Sequence, residues 1–190
     1  MSKLIRTFIA IELNKEIQEA LSKSQARLKS TGADVKWVAP GNIHLTLRFL
    51  GNLTFEDIEK IKNILGEIGH IEKCFSIYIA GLGAFPKIDY PRIIWADINK
   101  GKDELIKMSE ILESKLKTKG FPKADRPFSA HITIGRVRSP LKRKELASYL
   151  NNVDWQDNLE MMVDKITLFE STLTPKGPVY SPLCQVPLLV

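Results

Sequence analysis

The sequence predicts an α+β fold of antiparallel sheets with helices on their outer faces. Short alternating apolar segments are mixed with helical spacings and follow no strict β-α-β rhythm. No Gly-rich nucleotide fingerprint follows a strand, and no Gly/Ser-rich linker divides the 190 residues. One four-residue pattern occurs twice, as His44-Leu45-Thr46-Leu47 and His131-Ile132-Thr133-Ile134, its copies 87 residues apart. That spacing is close to half the chain. It predicts a single domain over 1–190 made of two pseudo-symmetric lobes facing each other, each bearing one motif (44–47 and 131–134).

A first strand is expected over residues 4–12. Asn14 is placed to cap a helix with Ile17, Leu21 and Leu28 on one face. Two strands follow, 35–38 and 43–49, broken by Pro40-Gly41, with Gly51-Asn52 ending the second. Thr54 and Asp57 form a capping-box pattern ahead of Ile58, Ile61, Leu65 and Ile68, which have helical spacing. Residues 75–80 alternate as a strand, a Gly-rich turn comes next, and 92–98 form another strand. A helix over about 103–117 aligns Leu105, Met108, Leu112 and Leu116 and is stopped by Gly120 and Pro122. Residues 130–137 read as a strand, Ser139-Pro140 as the opening of a short helix, and 161–173 as one bent strand. The last strand, 179–188, is interrupted by prolines and belongs at a sheet edge.

Apolar residues make up 44% and charged residues 26%, the composition of a globular protein, and no apolar run is long enough to span a bilayer. The N-terminal stretch carries Arg6 in its middle and ends on Glu12, which suits a strand and not a signal peptide. Cys74 and Cys184 sit among apolar residues without a C-x-x-C pair, so two buried, reduced thiols and a cytoplasmic location are expected. Net charge is +6, unevenly spread: residues 115–144 hold ten bases against the single acid Asp125, whereas the remainder is slightly acidic. All the positive excess therefore surrounds the second motif. It reads either as a solvated basic face or as the footprint of a polyanion such as RNA.

Strand parity gives the motifs chemical meaning. His44 and Thr46 share one face and Leu45 and Leu47 the other, and the second motif repeats this. Each strand thus offers an imidazole and a hydroxyl about 7 Å apart over an apolar anchor. A lone His-x-Thr would mean little. Here two of the chain's three histidines fall in the same pattern; His70, at a helix end, has no expected catalytic role. Zinc fits poorly, since each motif supplies one nitrogen and no Cys or carboxylate stands at ligand spacing. A serine hydrolase is unsupported because Gly-x-Ser-x-Gly is absent. Two imidazoles and two hydroxyls suit acid–base work on a phosphodiester, with no metal or cofactor expected: one imidazole removes a proton from the nucleophile while the other protonates the leaving oxygen. Thr46 and Thr133 would donate to the non-bridging oxygens.

These residues resemble the 2H phosphoesterases, specifically the RNA 2′,3′-cyclic phosphodiesterase branch, historically called 2′-5′ RNA ligase. The resemblance extends over Arg6 to Ile11, His44 to Gly51, Pro91 to Trp95, His131 to Arg136, Leu168 to Ser171, and then Gly177 and Tyr180 to Leu183. It implies a bilobal fold with two antiparallel sheets facing across a central groove. It also implies His44 as proton donor to the 3′ oxygen, His131 as proton acceptor activating water, and a 2′-phosphate product; the residues alone do not choose between the histidines. Arg136 matches a family arginine near the phosphate, and its planar fork suits an anionic oxygen pair. Its odd spacing from Thr133 requires a local bend for it to enter the groove. Arg48 shares strand parity with His44 and is a candidate RNA contact, or else a solvent-exposed base. Phe49 and Trp95 could stack a base but are more readily explained as core. Where the family often has proline before the second histidine, this chain has Ala130.

The expected partner is RNA ending in a 2′,3′-cyclic phosphate, tRNA halves among the candidates; the protein is expected to be monomeric and free of membranes. The same groups could join a 5′-hydroxyl in place of water, giving reversible ATP-independent 2′-5′ ligation. A non-catalytic RNA-binding module using the basic window is the alternative from a different class, distinguished by salt-sensitive affinity that survives loss of both histidines.

Overall fold

A computed structural model describes residues 3–153, 155, 159–175 and 177–190. In chain order it contains β1 (Ile5–Glu12), α1 (Lys15–Lys29), β2 (Val35–Trp37), a 3₁₀ turn (Pro40–Asn42), β3 (His44–Leu53), α2 (Phe55–Gly69), β4 (Phe75–Lys87), β5 (Tyr90–Lys100), α3 (Lys102–Thr118), β6 (His131–Val137), α4 (Arg143–Asn152), β7 (Leu159–Val163), β8 (Lys165–Thr174) and β9 (Gly177–Pro187). The strands form a 9-stranded sheet in the order β7-β4-β5-β6-β3-β1-β8-β9, with β2 added to β6. Every strand pair is antiparallel. The α+β reading holds. The two sheets implied by the resemblance are joined into this one path by a backbone pair between β3 and β6, Leu45 with Ile132.

Local signals set most of the boundaries. The Asn14 side chain accepts from Ile17 N at 2.9 Å, and the Thr54 hydroxyl accepts from Asp57 N at 3.2 Å, so both caps form as their residue types dictate. Ile17, Leu21 and Leu28 of α1 are buried, as are Leu105, Met108, Leu112 and Leu116 of α3. Two polar residues, Ser24 and Gln25, sit in the buried stripe of α1, Gln25 with 3% of its surface exposed. Cys74 and Cys184, expected to be buried, are only partly so. β9 pairs only with β8 among the described residues, the edge position its prolines require. No described helix is long and apolar enough to cross a membrane.

Four elements differ from the sequence reading. β3 does not stop at Gly51-Asn52. It continues to Leu53 through an irregularity at Leu50, with Gly51 at φ +79 absorbing the distortion. The glycines after Ala80 lie inside β4, and the chain reverses at 88–89 instead. Gly83 stands opposite Trp95, and a Cβ there would come within 2.3 Å of the indole, so this glycine makes room for a ring. α4 begins at Arg143, three residues after Pro140, which ends up in the turn before it. Residues 161–173 form two strands, not one bent strand: β7 pairs with β4 and β8 with β1, at opposite ends of the sheet. The apolar alternation continues through Asp164, and periodicity alone cannot register that the chain changes sheet end there.

The middle of the sheet is a ladder of four apolar residues, Ile11–Leu45–Ile132–Ala96, on β1, β3, β6 and β5. All four are at most 1% exposed. Removing the side chain at the junction, Ile132→Ala, should destabilise the protein by about 2–5 kcal/mol in denaturant unfolding. Removing the α1 cap, Asn14→Ala, should cost about 0.5–2 kcal/mol.

Candidate active site

Register determines what the opposite face presents. With Leu45 paired to Ile132, the antiparallel ladder sets His44 against Thr133 and Thr46 against His131. The row through His44 reads Glu12–His44–Thr133–Trp95, and the row through His131 reads Ala10–Thr46–His131–Asp97. The register therefore sets each motif's threonine beside the other motif's histidine. In a regular ladder opposed residues lie about 4.5–5.5 Å apart and diagonal ones, as His44 and His131 are here, about 7–8 Å. All four polar side chains are half-buried, whereas Leu45, Leu47, Ile132 and Ile134 are at most 5% exposed. The structure thus brings together the four residues singled out by parity.

Both imidazoles are held the same way. His44 Nδ1 lies 2.8 Å from the Asn42 carbonyl oxygen, and His131 Nδ1 lies 2.7 Å from that of Ser129. A carbonyl can only accept, so each Nδ1 carries a proton and, in the neutral imidazole, each Nε2 is left as the acceptor. The Asn42 side chain also donates to Pro178 O at 2.8 Å, tying the β8–β9 hairpin to the turn that orients His44. Asn42 and Ser129 were not recognised from sequence, although each stands two residues before a motif histidine. The carboxylates opposite the histidines are engaged elsewhere. Glu12 accepts from Thr167 Oγ1 and Gln185 Nε2, both at 2.6 Å, and Asp97 pairs with Lys102 at 3.3 Å.

The fourth residue of each motif is a β-bulge. Along β6, Thr133 and Gly135 pair with successive residues Trp95 and Ile94, leaving Ile134 extra; along β3, Thr46 and Arg48 pair with Ala10 and Ile9, leaving Leu47 extra. A bulge reverses the parity of the residues after it. Gly135 therefore turns inward, where Val35 and Trp37 of β2 occupy the space a Cβ would need, and Arg136 turns to the histidine face. This is the local bend that Arg136 required. On β3 the equivalent position is Phe49, which is 58% exposed with its ring 6.0 Å from Phe8. The structure thus places Phe49 on the groove face, not in the core. Trp95 is half-buried against Gly83 and Phe85. The same bulge turns Arg48 away from the groove: its Nε lies 2.6 Å from Glu113 Oε1, and its Nη2 donates to Pro122 O at 2.6 Å. As placed, Arg48 secures the 121–130 loop and α3 and does not face the groove as an RNA contact.

Aromatic rings wall both histidines. The His44 ring lies tilted against Phe8 at 4.9 Å and meets Tyr180 edge-on at 5.3 Å, and His131 meets Phe85 at 5.1 Å and Trp95 at 6.4 Å. Burial among these rings pushes the His44 imidazole below its ordinary pKa, opposed by the Asn42 carbonyl. Burial does the same to His131; the Ser129 carbonyl opposes it, and the Arg136 guanidinium adds to the downward push. Tyr180 is raised by burial and drawn partly back by the charges of Arg6 and Arg136. Part of the basic window is neutralised away from it, Lys115 pairing with Glu67 at 2.6 Å. His70 lies outside the site, its Nδ1 2.6 Å from Gly66 O at the end of α2. Among the described residues no three His, Cys, Asp or Glu side chains cluster to hold a metal.

The family model described as LigT like phosphoesterase matches twice in tandem, over residues 11–95 and 97–180. The chain is 31% identical over 177 residues to the RNA 2′,3′-cyclic phosphodiesterase of Methanothermobacter thermautotrophicus, covering 93% of this chain and 95% of that protein. It is 37% identical over 183 residues to the enzyme of the same name from Aquifex aeolicus, covering 94% and 95%. Its structure is similar to that of E. coli LigT complexed with 3′-AMP, with a TM-score of 0.80 and 26% identity over 97% of this chain and 98% of that one.

In ¹⁵N-resolved NMR titration, His44 and His131 should both protonate below 6.5, and in their neutral forms both should carry the proton on Nδ1. An Nε2–H tautomer at either residue would contradict the carbonyl contacts.

Proposed function

The chain belongs to the LigT-like family of 2H phosphoesterases, and from that premise we propose that it hydrolyses RNA 2′,3′-cyclic phosphate ends to 2′-phosphates by two-histidine acid–base catalysis. The observation that carries this reading is the matched pair of imidazoles on one face of the sheet, each fixed through Nδ1 by a backbone carbonyl so that Nε2 is the nitrogen left for chemistry.

The cyclic phosphate would lie across the junction of β3 and β6, its non-bridging oxygens accepting from Thr46 and Thr133. Neutral His131 takes a proton from water at Nε2 as the water oxygen bonds to phosphorus. The P–O3′ bond breaks, and His44, charged and still donating through Nδ1 to Asn42, passes its Nε2 proton to the departing O3′. The products are a 2′-phosphate and a 3′-hydroxyl, and solvent exchange restores both histidines. The family assigns donor and acceptor. Arg136 agrees with that order, because a cation beside His131 favours its neutral, accepting form. The same guanidinium would meet the charge that grows on the phosphate. Phe49, exposed on the His44 side, offers a face for the terminal base. Arg6 and Arg136, whose charges both act on Tyr180, favour a polyanionic substrate.

Purified protein in EDTA should open a cyclic-phosphate RNA end, leaving a 2′-phosphate and a free 3′-hydroxyl; intact folded protein that leaves the end closed sinks the proposal. His44→Ala or His131→Ala should each lower kcat by about 10²–10⁴. RNA affinity unchanged by both substitutions, with no turnover in the parent, would favour the binding module. The pH profile of kcat/KM should be a bell. Its rising limb is loss of the proton from the acceptor and its falling limb loss of the proton from the donor, so lowering both pKa values moves the whole bell to the acid side of 6.5. Phe49→Ala should weaken productive binding by about 1–3 kcal/mol, read in kcat/KM.

A further inference from the structure

Gln25 belongs to α1, 109 residues from Ile134 of β6 in the sequence. It occupies a helix position between Leu21 and Leu28 where the spacing calls for an apolar residue, and it is 3% exposed. A buried amide in a core stripe costs free energy unless its hydrogen bonds are made. Gln25 Nε2 makes two, to Val38 O and Ile134 O, both at 2.8 Å. Both partners are acceptors, so both amide protons are used and the orientation of the amide is settled. Ile134 is the bulged residue of β6, and its carbonyl also accepts from Val38 N at 3.0 Å.

We propose that Gln25 is a positioning residue for Arg136: its amide holds the Ile134 bulge, and the bulge keeps Arg136 on the histidine face. Without the bulge, β6 would run in regular alternation from Thr133, and Arg136 would share the face of Ile132 and Ile134, away from the histidines. The groove also works against Arg136. Lys36 stands directly opposite it on β2, exposed and facing the same way, and no ion pair with either cation occurs among the described residues. Like charges opposed across strands repel, so the strand end gains by relaxing unless it is held. The buried amide supplies a hold out of reach of solvent competition. The catalytic weight of this role rests on the proposed contact of Arg136 with the substrate phosphate; its geometric part does not.

The test separates the two. Gln25→Met keeps the volume and removes the donors. With Arg136 released, its downward push on His131 is lost, so the His131 titration followed by NMR without RNA should move to higher pH in Gln25→Met, as it does in Arg136→Ala, and no further in the double variant. On RNA with a cyclic-phosphate end, Gln25→Met should lower kcat/KM at least tenfold, and the double variant should match Arg136→Ala alone. Should Gln25→Met fail to fold, Gln25→His, which retains one donor, is read the same way and should shift His131 less than Arg136→Ala does. A folded Gln25 variant whose His131 titrates as in the parent, while Arg136→Ala shifts it, overturns the proposal and leaves the proposed function intact. A shift in both variants with kcat/KM unchanged removes Arg136 from the phosphate, which overturns its part in the proposed function and with it the catalytic role of Gln25.

Discussion

Leu45 and Ile132 pair across the junction of β3 and β6, both fully buried, and the site depends on that register. A slip of one residue would send the histidines and threonines into the core and four aliphatic side chains into the groove. The register is therefore protected by hydrophobic burial: Ile11 and Ala96 continue the same row on either side, and none of the four can leave the core without exposing apolar surface. The polar face is specified by what happens on the apolar one.

The two motif strands are held by helices from the opposite halves of the chain. α1, in the first half, anchors the bulge of β6 through Gln25. α3, in the second half, anchors Arg48 of β3 through Glu113. β2 crosses in the same sense, from the first half onto β6, while β8 and β9 return from the C-terminus to β1. These ties make the positions of the two histidines mutually dependent. The tandem match of the family model over 11–95 and 97–180 describes two similar stretches of sequence, yet the structure interlocks them so that each motif strand relies on residues from the other stretch.

Equivalent geometry also carries unlike chemistry. The positions after the two bulges are Phe49 and Arg136, an aromatic beside His44 and a cation beside His131. Both imidazoles are lowered by burial, but only His131 has a guanidinium adding to that effect. Two histidines held alike thus have an aromatic side chain after one bulge and a cation after the other, besides different rings around them.

Much of this was legible in the residues. The alternation of His44 to Leu47 and His131 to Ile134 separated groove from core, Asn14 and Thr54 marked helix starts, and the prolines of β9 marked an edge, because each depends on local backbone geometry. What failed was whatever depended on neighbours. The glycines of β4 read as a turn because nothing local announces the indole of Trp95 above Gly83. Residues 161–173 read as one strand because alternation does not record which strand lies alongside. Arg48 and Arg136 could be told apart only once the bulges were known, since an extra residue in a strand is defined by its partner. The sequence by itself determined which side chains could do chemistry and on which face of their own strand they stood. Only the tertiary structure decided that the two faces meet, that each histidine has the other motif's threonine beside it, and that a glutamine in a helix core holds the strand end carrying Arg136; strand register, burial and bulges are relations between distant segments, and no window of the chain contains them.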